Sequence, residues 1–387
     1  MKIRKDKNVL KIIGYRYREA KKSEKGKILD ELCDLHGYNR KYLVQIFNFH
    51  ERRKYIRRGR KTKYPKKVLL LPLVRIWLAT NQMCSKKLKA ALPQWLPFYD
   101  EALSEEIKKQ ILKISAATID RLLKPQKVKY KRHGLSGTKP GYLLKNQIPI
   151  KTDHWNVKQP GFMEADTVAH CGNSISGSYA WSITLTDICS CWTEIRATWN
   201  KGADGVVTQV KDIEDNLPFK ILGFDCDNGS EFLNWHLIRY FSEKRTTPAQ
   251  FTRSRPYRKN DNAHVEQKNW THVRHLFGYD RFDDKALIDL MNDLYKNEWR
   301  LYQNHFIPTM KLIEKTKINS KYRRKYDKPK TPYQRILESP QINEETKNKL
   351  RQVHAQLNPF ALKKAIEEKL RIIFKYVKCN KDARTKI

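Results

Sequence analysis

The chain has 387 residues, of which 40% are hydrophobic and 11% aromatic, a composition that indicates a globular protein and excludes a wholly disordered one. No apolar run reaches the roughly 20 residues that span a bilayer, and the basic N-terminus lacks the apolar stretch of a signal peptide. The seven cysteines are odd in number and scattered, which favours reduced thiols in a cytosol.

The net charge of +38 is unevenly distributed. Residues 1–150 hold 38 basic and 12 acidic side chains, residues 311–387 hold 22 and 8, and the middle holds 19 and 21. Basic flanks indicate a polyanionic partner, because each neutralised phosphate releases condensed counterions. A centre that keeps its acidic residues beside a polyanion indicates bound divalent metal. We expect a multidomain protein with segments at 1–60, 61–150, 151–310 and 311–387.

The first segment predicts two helices separated by a tight turn. Ser23 is the expected cap of a helix that ends at Gly37, and Asn39 is the expected cap of a second helix. Helix, glycine turn and helix form the helix-turn-helix pattern, whose second helix enters the major groove. The candidate DNA contacts on it are Arg40, Lys41 and Gln45; a plain helical hairpin is the alternative.

A basic run at 51–67 spans the boundary between the first two segments, and it indicates a linker or an arm along phosphates. Three helical stretches follow, and Ser115 then caps a short helix through Pro125 that resembles a second helix-turn-helix unit, with Arg121 as a candidate DNA contact. The stretch 124–147 is rich in Gly, Pro and basic residues, so we expect a linker there.

The central segment predicts an α/β domain. Strands are expected at 161–169, 178–188, 190–197, 219–226 and 249–254, and helices at 201–215, 231–241 and 261–277. This order, with a hairpin-built sheet edge followed by α/β crossovers, is that of the ribonuclease-H-like mixed sheet covered by helices. After Met310 the chain turns basic again, and we expect a mostly helical C-terminal region.

Three carboxylates fall where this fold brings them together. Asp166 lies within the first strand, Asp227 at the end of the fourth, and Glu266 on the last helix of the domain. Grouped carboxylates repel each other unless a cation neutralises them, and oxygen ligands suit Mg²⁺, with Mn²⁺ as a substitute. Glu164 and Asp225 are rivals of Asp166 and Asp227 on the same strand faces.

Basic and small polar residues flank these acids. Asn228 sits in the Asp-Asn-Gly turn after Asp227, where Gly229 lets a phosphate backbone approach. The other candidate DNA contacts of this segment are Arg253, Arg255, Arg258 and Lys259 before the last helix, and Lys268 and Arg274 on it; Asn269 on that helix could also face DNA.

The pattern D…DNG…E has 60 residues between Asp166 and Asp227 and 38 between Asp227 and Glu266. Together with SRPYRKNDNAHVEQKNWTHVR it resembles the DDE integrase and transposase superfamily, above all bacterial insertion-sequence transposases with an integrase-type core. The resemblance covers roughly residues 155–280 in motif detail. The zinc-binding His/Cys module of retroviral integrases is absent from the sequence, so we expect a metal-free N-terminal domain.

The resemblance implies a DNA transposase that holds two Mg²⁺ ions, with Asp166 bridging both and Asp227 and Glu266 each holding one. Its partners are then double-stranded DNA, as transposon terminal repeats and target, and further copies of the chain, since joining two ends requires a homodimer or higher oligomer. No membrane partner is expected. Two alternatives stay open: a ribonuclease-H-like nuclease and a non-enzymatic DNA-binding regulator.

Overall fold

The computed structural model describes residues 7–48, 64, 66–130, 157, 159–200, 202–226, 235–242, 245, 248–253 and 263–384. The chain divides into two compact units, Met1–Lys63 and Tyr64–Ile387. The domain boundaries expected near residues 150 and 310 stay predictions.

In the described residues of the first unit, 7–48, there are three helices: α1 (Lys7–Glu19), α2 (Lys22–His36) and α3 (Arg40–Phe47). As predicted, Gly37 ends α2 in the left-handed conformation, at φ 63°, and the Asn39 side chain caps α3 by accepting from Lys41 N–H. The prediction of Ser23 as a cap was wrong, because α2 begins two residues earlier with Lys21 in the capping position.

Helix α1 was not predicted from the sequence. It packs its apolar side against the two predicted helices, in a small core that includes Leu10, Leu29, Leu43 and Phe47. The two helices on either side of Gly37 are therefore part of a three-helix unit. That α3 enters a DNA groove stays a prediction.

The second unit begins with four helices: α4 (Lys66–Ala79), α5 (Ser85–Trp95), α6 (Glu105–Lys113) and α7 (Ala116–Lys129). Ser115 caps α7 as predicted, accepting from Thr118 N–H. The helix was expected to end at Pro125 but continues to Lys129, so the predicted linker cannot begin at residue 124. Residues 131–147 of that linker, and 51–63 of the basic run, lie outside the described residues.

A five-stranded mixed sheet follows, in the order β3-β2-β1-β4-β5. The first three strands are antiparallel, whereas β4 and β5 run parallel to β1. The predicted mixed sheet is therefore confirmed. Its strands are β1 (Phe162–Ala169), β2 (Ala180–Asp187), β3 (Thr193–Trp199), β4 (Gly223–Cys226) and β5 (Gln250–Arg253).

Helices cover both faces of this sheet. On one face, α8 (Ala203–Asn216) and α9 (Trp235–Ser242) pack on Met163, Ile183 and Phe224. The opposite face meets a continuous helical stretch made of α10 (Ala263–Lys268), a π-helical turn (Asn269–Arg274) and α11 (His275–Phe277). It is followed by α12 (Leu287–Leu294), a second π-helical turn (Tyr295–Trp299) and α13 (Arg300–Phe306).

The face beneath α10 belongs to the largest core of the chain. This core joins residues of α4 to α7, the sheet, α12, α13 and the C-terminal helix, among them Leu73, Trp95, Ile195, Tyr302 and Ile373. Long-range hydrogen bonds join the same parts: Trp95 Nε1 donates to Phe306 O at 3.2 Å, and Tyr302 donates to Ala79 O at 2.6 Å.

The C-terminal region is mostly helical, as predicted, with α14 (Pro332–Glu338), α15 (Glu344–Ala355) and α16 (Pro359–Arg384). A β-hairpin of β6 (Leu312–Ile318) and β7 (Lys321–Tyr326) precedes these helices and was not predicted. Among the residues that the structure describes, no helix combines the length and apolar character needed to cross a bilayer.

Candidate active site

Strand β1 carries Glu164 and Asp166 on the sheet face that lies beneath α10. Side chains two residues apart on a strand point to the same face, and β1 forms because apolar residues alternate with these polar ones. In the sheet register Glu164 pairs with Asp225 of β4, and Ala165 pairs with Cys226, the last residue of that strand. The chain thus leaves β4 beside Asp166.

Asp166 is partly exposed and its two carboxylate oxygens accept different hydrogen bonds. Oδ2 accepts from Asn269 Nδ2 at 2.7 Å, and Oδ1 accepts from Thr167 N–H at 2.7 Å. Asn269 is buried, at the start of the π-helical turn and three residues after Glu266. A direct contact therefore ties the carboxylate of β1 to the helix that carries Glu266.

Glu164 occupies a different environment on the same strand. Its side chain is only 2% exposed, and Oε2 accepts from Val265 N–H at 3.0 Å, at the start of α10. A carboxylate at this end of a helix satisfies a backbone donor that has no partner within the helix. Glu164 therefore anchors the first turn of α10 to the sheet.

Asp225, the rival of Asp227, is also buried, and Oδ1 accepts from the Thr252 hydroxyl of β5 at 2.7 Å. Asp227 itself lies outside the described residues. Glu266 lies in α10 between Val265 and Lys268, and the structure describes its backbone but not its side chain. Of the three predicted carboxylates, the structure therefore gives contacts for Asp166 alone. It gives the strand that precedes Asp227 and the helix that contains Glu266.

The predicted DNA contacts of the first unit are on the surface of α3. Arg40, Lys41 and Gln45 are all exposed, and Arg40 forms an ion pair with Asp30 of α2. On α7, Arg121 is exposed and its guanidinium donates to Thr118 Oγ1 at 3.0 Å.

Two other candidates, Lys268 and Arg274, use their charged groups in contacts within the chain. Lys268 is 7% exposed and its amine donates to Cys191 O at 3.5 Å. Burial lowers the pKa of Lys268 to about 8. Arg274 is half-buried and donates to Ala169 O at 3.0 Å and to Gly278 O at 3.3 Å, so it fixes the end of β1 to the helical stretch.

The remaining candidates are not described at the level of side chains. Arg253 belongs to β5 with its side chain outside the description, and the others lie outside the described residues altogether. They are Asn228, Arg255, Arg258 and Lys259.

Asn269 is the site residue whose role the sequence misassigned. It was expected to face DNA, but the structure turns its amide toward Asp166. Its position three residues after Glu266 was the available signal, since residues three apart share one side of a helix.

No known family model matches the chain. It is 36% identical over 330 residues to the uncharacterized protein y4rM of Sinorhizobium fredii (strain NGR234), a match that covers 83% of the chain and 91% of that protein. The chain belongs to the y4rM family. The alignment of 330 residues covers most of the length of both proteins. An alignment of this length must include the central sheet.

This member of the y4rM family also has looser structural likenesses. The catalytic core domain of BIV integrase matches with a TM-score of 0.30 and 15% identity, over 46% of the chain and 95% of that structure. The simian T-cell lymphotropic virus intasome, in complex with PP2A regulatory subunit B56 gamma, matches with a TM-score of 0.34 and 13% identity, over 62% and 73%. Both TM-scores lie below 0.5, so the fold rests on the strand order and register given above.

Proposed function

We propose that the chain is a DNA transposase of the DDE superfamily with a ribonuclease-H-like core, which cuts transposon ends and joins their 3′-hydroxyls to target DNA. The observation that carries the proposal is the hydrogen bond from Asn269 to Asp166. It joins the partly exposed carboxylate of β1 to the helix of Glu266, the arrangement that a shared metal site needs.

The donor set fits divalent metal. Asp166 offers carboxylate oxygens on an accessible part of the sheet, and Asp227 follows Cys226, which pairs with the neighbour of Asp166. Hard oxygen ligands from carboxylates suit Mg²⁺ or Mn²⁺. In the proposed site Asp166, Asp227 and Glu266 would hold the ions.

In this mechanism the bound ions supply Lewis-acid stabilisation of the attacking and leaving oxygens. Asn269 holds the Asp166 carboxylate in one orientation, and Glu164 holds α10, and with it the backbone of Glu266, against the sheet. Both contacts reduce the reorganisation that binding would otherwise require.

The chemistry is two successive phosphoryl transfers. First, a water oxygen bonds to the phosphorus at the element end, and the bond from phosphorus to the 3′-oxygen breaks, which frees a 3′-hydroxyl. That hydroxyl then attacks a phosphodiester of the target, and the target's own 3′-oxygen leaves. The bonds formed and broken are equivalent in the second step, so it needs no energy source and no covalent protein intermediate.

The test is a strand-transfer assay with the full chain, a supercoiled target and duplexes taken from the DNA on both sides of its coding sequence. Wild type is compared with Asp166→Asn and Glu266→Gln in Mg²⁺, Mn²⁺ and EDTA. The matched control is Glu368→Gln on the exposed side of α16. We expect metal-dependent joined product from wild type and control, and none from the two site variants.

Two outcomes would overturn the proposal. Metal-dependent nicking without joining, across all duplexes tried, would identify a nuclease. DNA binding without either reaction in any metal, and without change in the site variants, would identify a regulator. The proposed dimer is tested separately by light scattering of the complex with end DNA, where a strictly monomeric complex that still joins two ends would exclude it.

A further inference from the structure

The β-hairpin of residues 312–326, here called the basic hairpin, has an unusual composition. It contains six lysines and arginines and one acidic residue, Glu314. All six residues of β7 are exposed, and on β6 Ile313 and Ile318 are 62% and 50% exposed. Neither strand therefore contributes a buried face to the core of the chain.

Contacts at its base hold the basic hairpin in place. Lys311 N–H donates to Asp327 Oδ1 at 2.7 Å, Asp327 N–H donates to Lys311 O at 3.0 Å, and Arg335 pairs with Asp327 at 2.7 Å. A two-stranded hairpin without a packed face is only marginally stable in water. The base of the basic hairpin is fixed, whereas neither of its faces is buried. This combination indicates that the hairpin binds a partner.

The positive charge of the basic hairpin is not neutralised by ion pairs within the described part of the chain. Glu314 accepts from the Thr316 hydroxyl at 3.1 Å, and Asp327 is held by Arg335. No carboxylate among the described residues forms an ion pair with the cations of the arm whose side chains are described: Lys317, Lys321, Arg323, Arg324 and Lys325.

The strand register distributes these cations over both faces. Lys317 pairs with Tyr322, Thr316 pairs with Arg323, and Ile318 pairs with Lys321. Successive pairs point to opposite faces, so Lys321 and Arg323 lie on one face, whereas Lys317 lies on the other. The exposed Ile318 and Tyr322 are likewise on opposite faces, so the arm has no single apolar side.

A groove next to the arm extends the basic surface. Its walls include Arg324 and Lys325 of β7, Lys86 of α5 and Ala116, the first residue of α7. Lys86 is exposed, and α7 also carries the exposed Arg121. Lys86 therefore lies beside Arg324 and Lys325 of the basic hairpin, in a groove that also includes the paired Asp327.

We propose that the basic hairpin binds duplex DNA, with the ribbon in the major groove and its two faces toward the two phosphate strands. The major groove of B-DNA, about 12 Å wide, admits a two-stranded β-ribbon, whereas the major groove of an RNA duplex is too deep and narrow. A membrane would require the apolar side chains on one face. The inference rests on the proposed function for the choice of DNA over other polyanions.

The experiment measures binding of the full chain to a fluorescein-labelled duplex of 30 base pairs, in EDTA, at salt concentrations from 0.1 to 0.4 M. The variant is Lys321→Gln with Arg323→Gln and Lys325→Gln. The matched control removes the same charge from the exposed side of α16, with Lys364→Gln, Arg371→Gln and Lys375→Gln. Tryptophan fluorescence melts check that both variants are folded.

Each phosphate contact contributes about 0.9 to the slope of log affinity against log salt. Three lost contacts should reduce that slope by about 2.7 and weaken binding roughly 100-fold at about 0.15 M salt. The α16 variant should change the slope by less than about one contact. Because EDTA removes the chemistry, this result is independent of whether strand transfer is found.

Equal losses in the two variants would show diffuse attraction and overturn the inference. It is also overturned if an RNA duplex of the same sequence, or anionic phosphatidylserine vesicles, bind as tightly as DNA and lose as much on substitution. If the hairpin variant binds DNA with an unchanged slope of log affinity against log salt, the DNA contacts lie elsewhere on the chain. This conclusion would hold even if strand transfer is confirmed.

Discussion

Glu164 and Asp166, two residues apart on β1, are predicted to divide structural and chemical roles. Replacing Glu164 with Ala removes the acceptor of Val265 N–H, which lies 3.0 Å away in the interior. A buried donor left without a charged acceptor costs about 1.5–3 kcal/mol, and the lost methylene adds about 0.8 kcal/mol. Together these contributions predict a loss of about 2–4 kcal/mol in the free energy of unfolding.

The assay is denaturant unfolding followed by tryptophan fluorescence. All nine tryptophans lie after residue 63, so the signal reports only on the unit that contains the sheet. Glu164→Gln is the control, because its amide oxygen can still accept from Val265 N–H, and it should stay within about 1 kcal/mol of wild type.

We expect Asp166→Asn to abolish strand transfer and to destabilise the fold less than Glu164→Ala does. Its single side-chain oxygen can accept from Asn269 or from Thr167 N–H but not from both, so we expect a loss of about 1 kcal/mol in the free energy of unfolding, whereas joined product should fall below about 1% because a metal ligand is lost. The reasoning is refuted if Glu164→Ala unfolds at the wild-type midpoint, or if Asp166→Asn is destabilised as much as Glu164→Ala.

Three further predictions concern buried side chains on the sheet or on the helical stretch that packs against it. Asn269→Leu should slow joining about 10- to 100-fold and raise the Mg²⁺ concentration for half-maximal activity, because the partner that orients Asp166 is lost; unchanged Mg²⁺ dependence would contradict a positioning role. Since Lys268 has a folded pKa of about 8 against 10.5, the unfolded chain binds more protons between these values, so stability should rise by about 1–2 kcal/mol from pH 8 to 9.5. Urea titrations should show a smaller rise for Lys268→Met, with greater stability at pH 7. Arg196→Met should cost about 3 kcal/mol, because it removes the guanidinium that lies 3.1 Å from the fully buried Glu194 and leaves that carboxylate with Arg300 at 3.8 Å; an unchanged urea midpoint would exclude that.

Local signals in the sequence predicted much of the fold. Asn39 and Ser115 each combine a capping side chain with a following apolar stripe, and alternation marked β1 to β3. Such signals depend on neighbouring residues alone, so they are readable without knowledge of the tertiary structure.

Features that depend on distant contacts could not be read in the same way. The basic hairpin buries neither face, so it lacks the alternation by which strands are recognised. Lys268 was named as a DNA contact from its place on the predicted helix, but it precedes a π-helical turn, whose wider bonding pattern breaks the regular 3.6-residue spacing used to assign faces. The role of Asn269 depends on a strand about 100 residues earlier in the chain.

The core that joins α4 to α7, the sheet and α16 also constrains the order of events during synthesis. Ile373 and Val377 complete a core that begins at Leu69, and Lys363 donates to Asn81 across 282 positions of sequence. Contacts of such separation close late, because loop entropy must be overcome first. During synthesis the apolar side chains of α12 and α13 that pack on α16 therefore stay exposed until α16 emerges from the ribosome, and apolar surface exposed in this way favours aggregation.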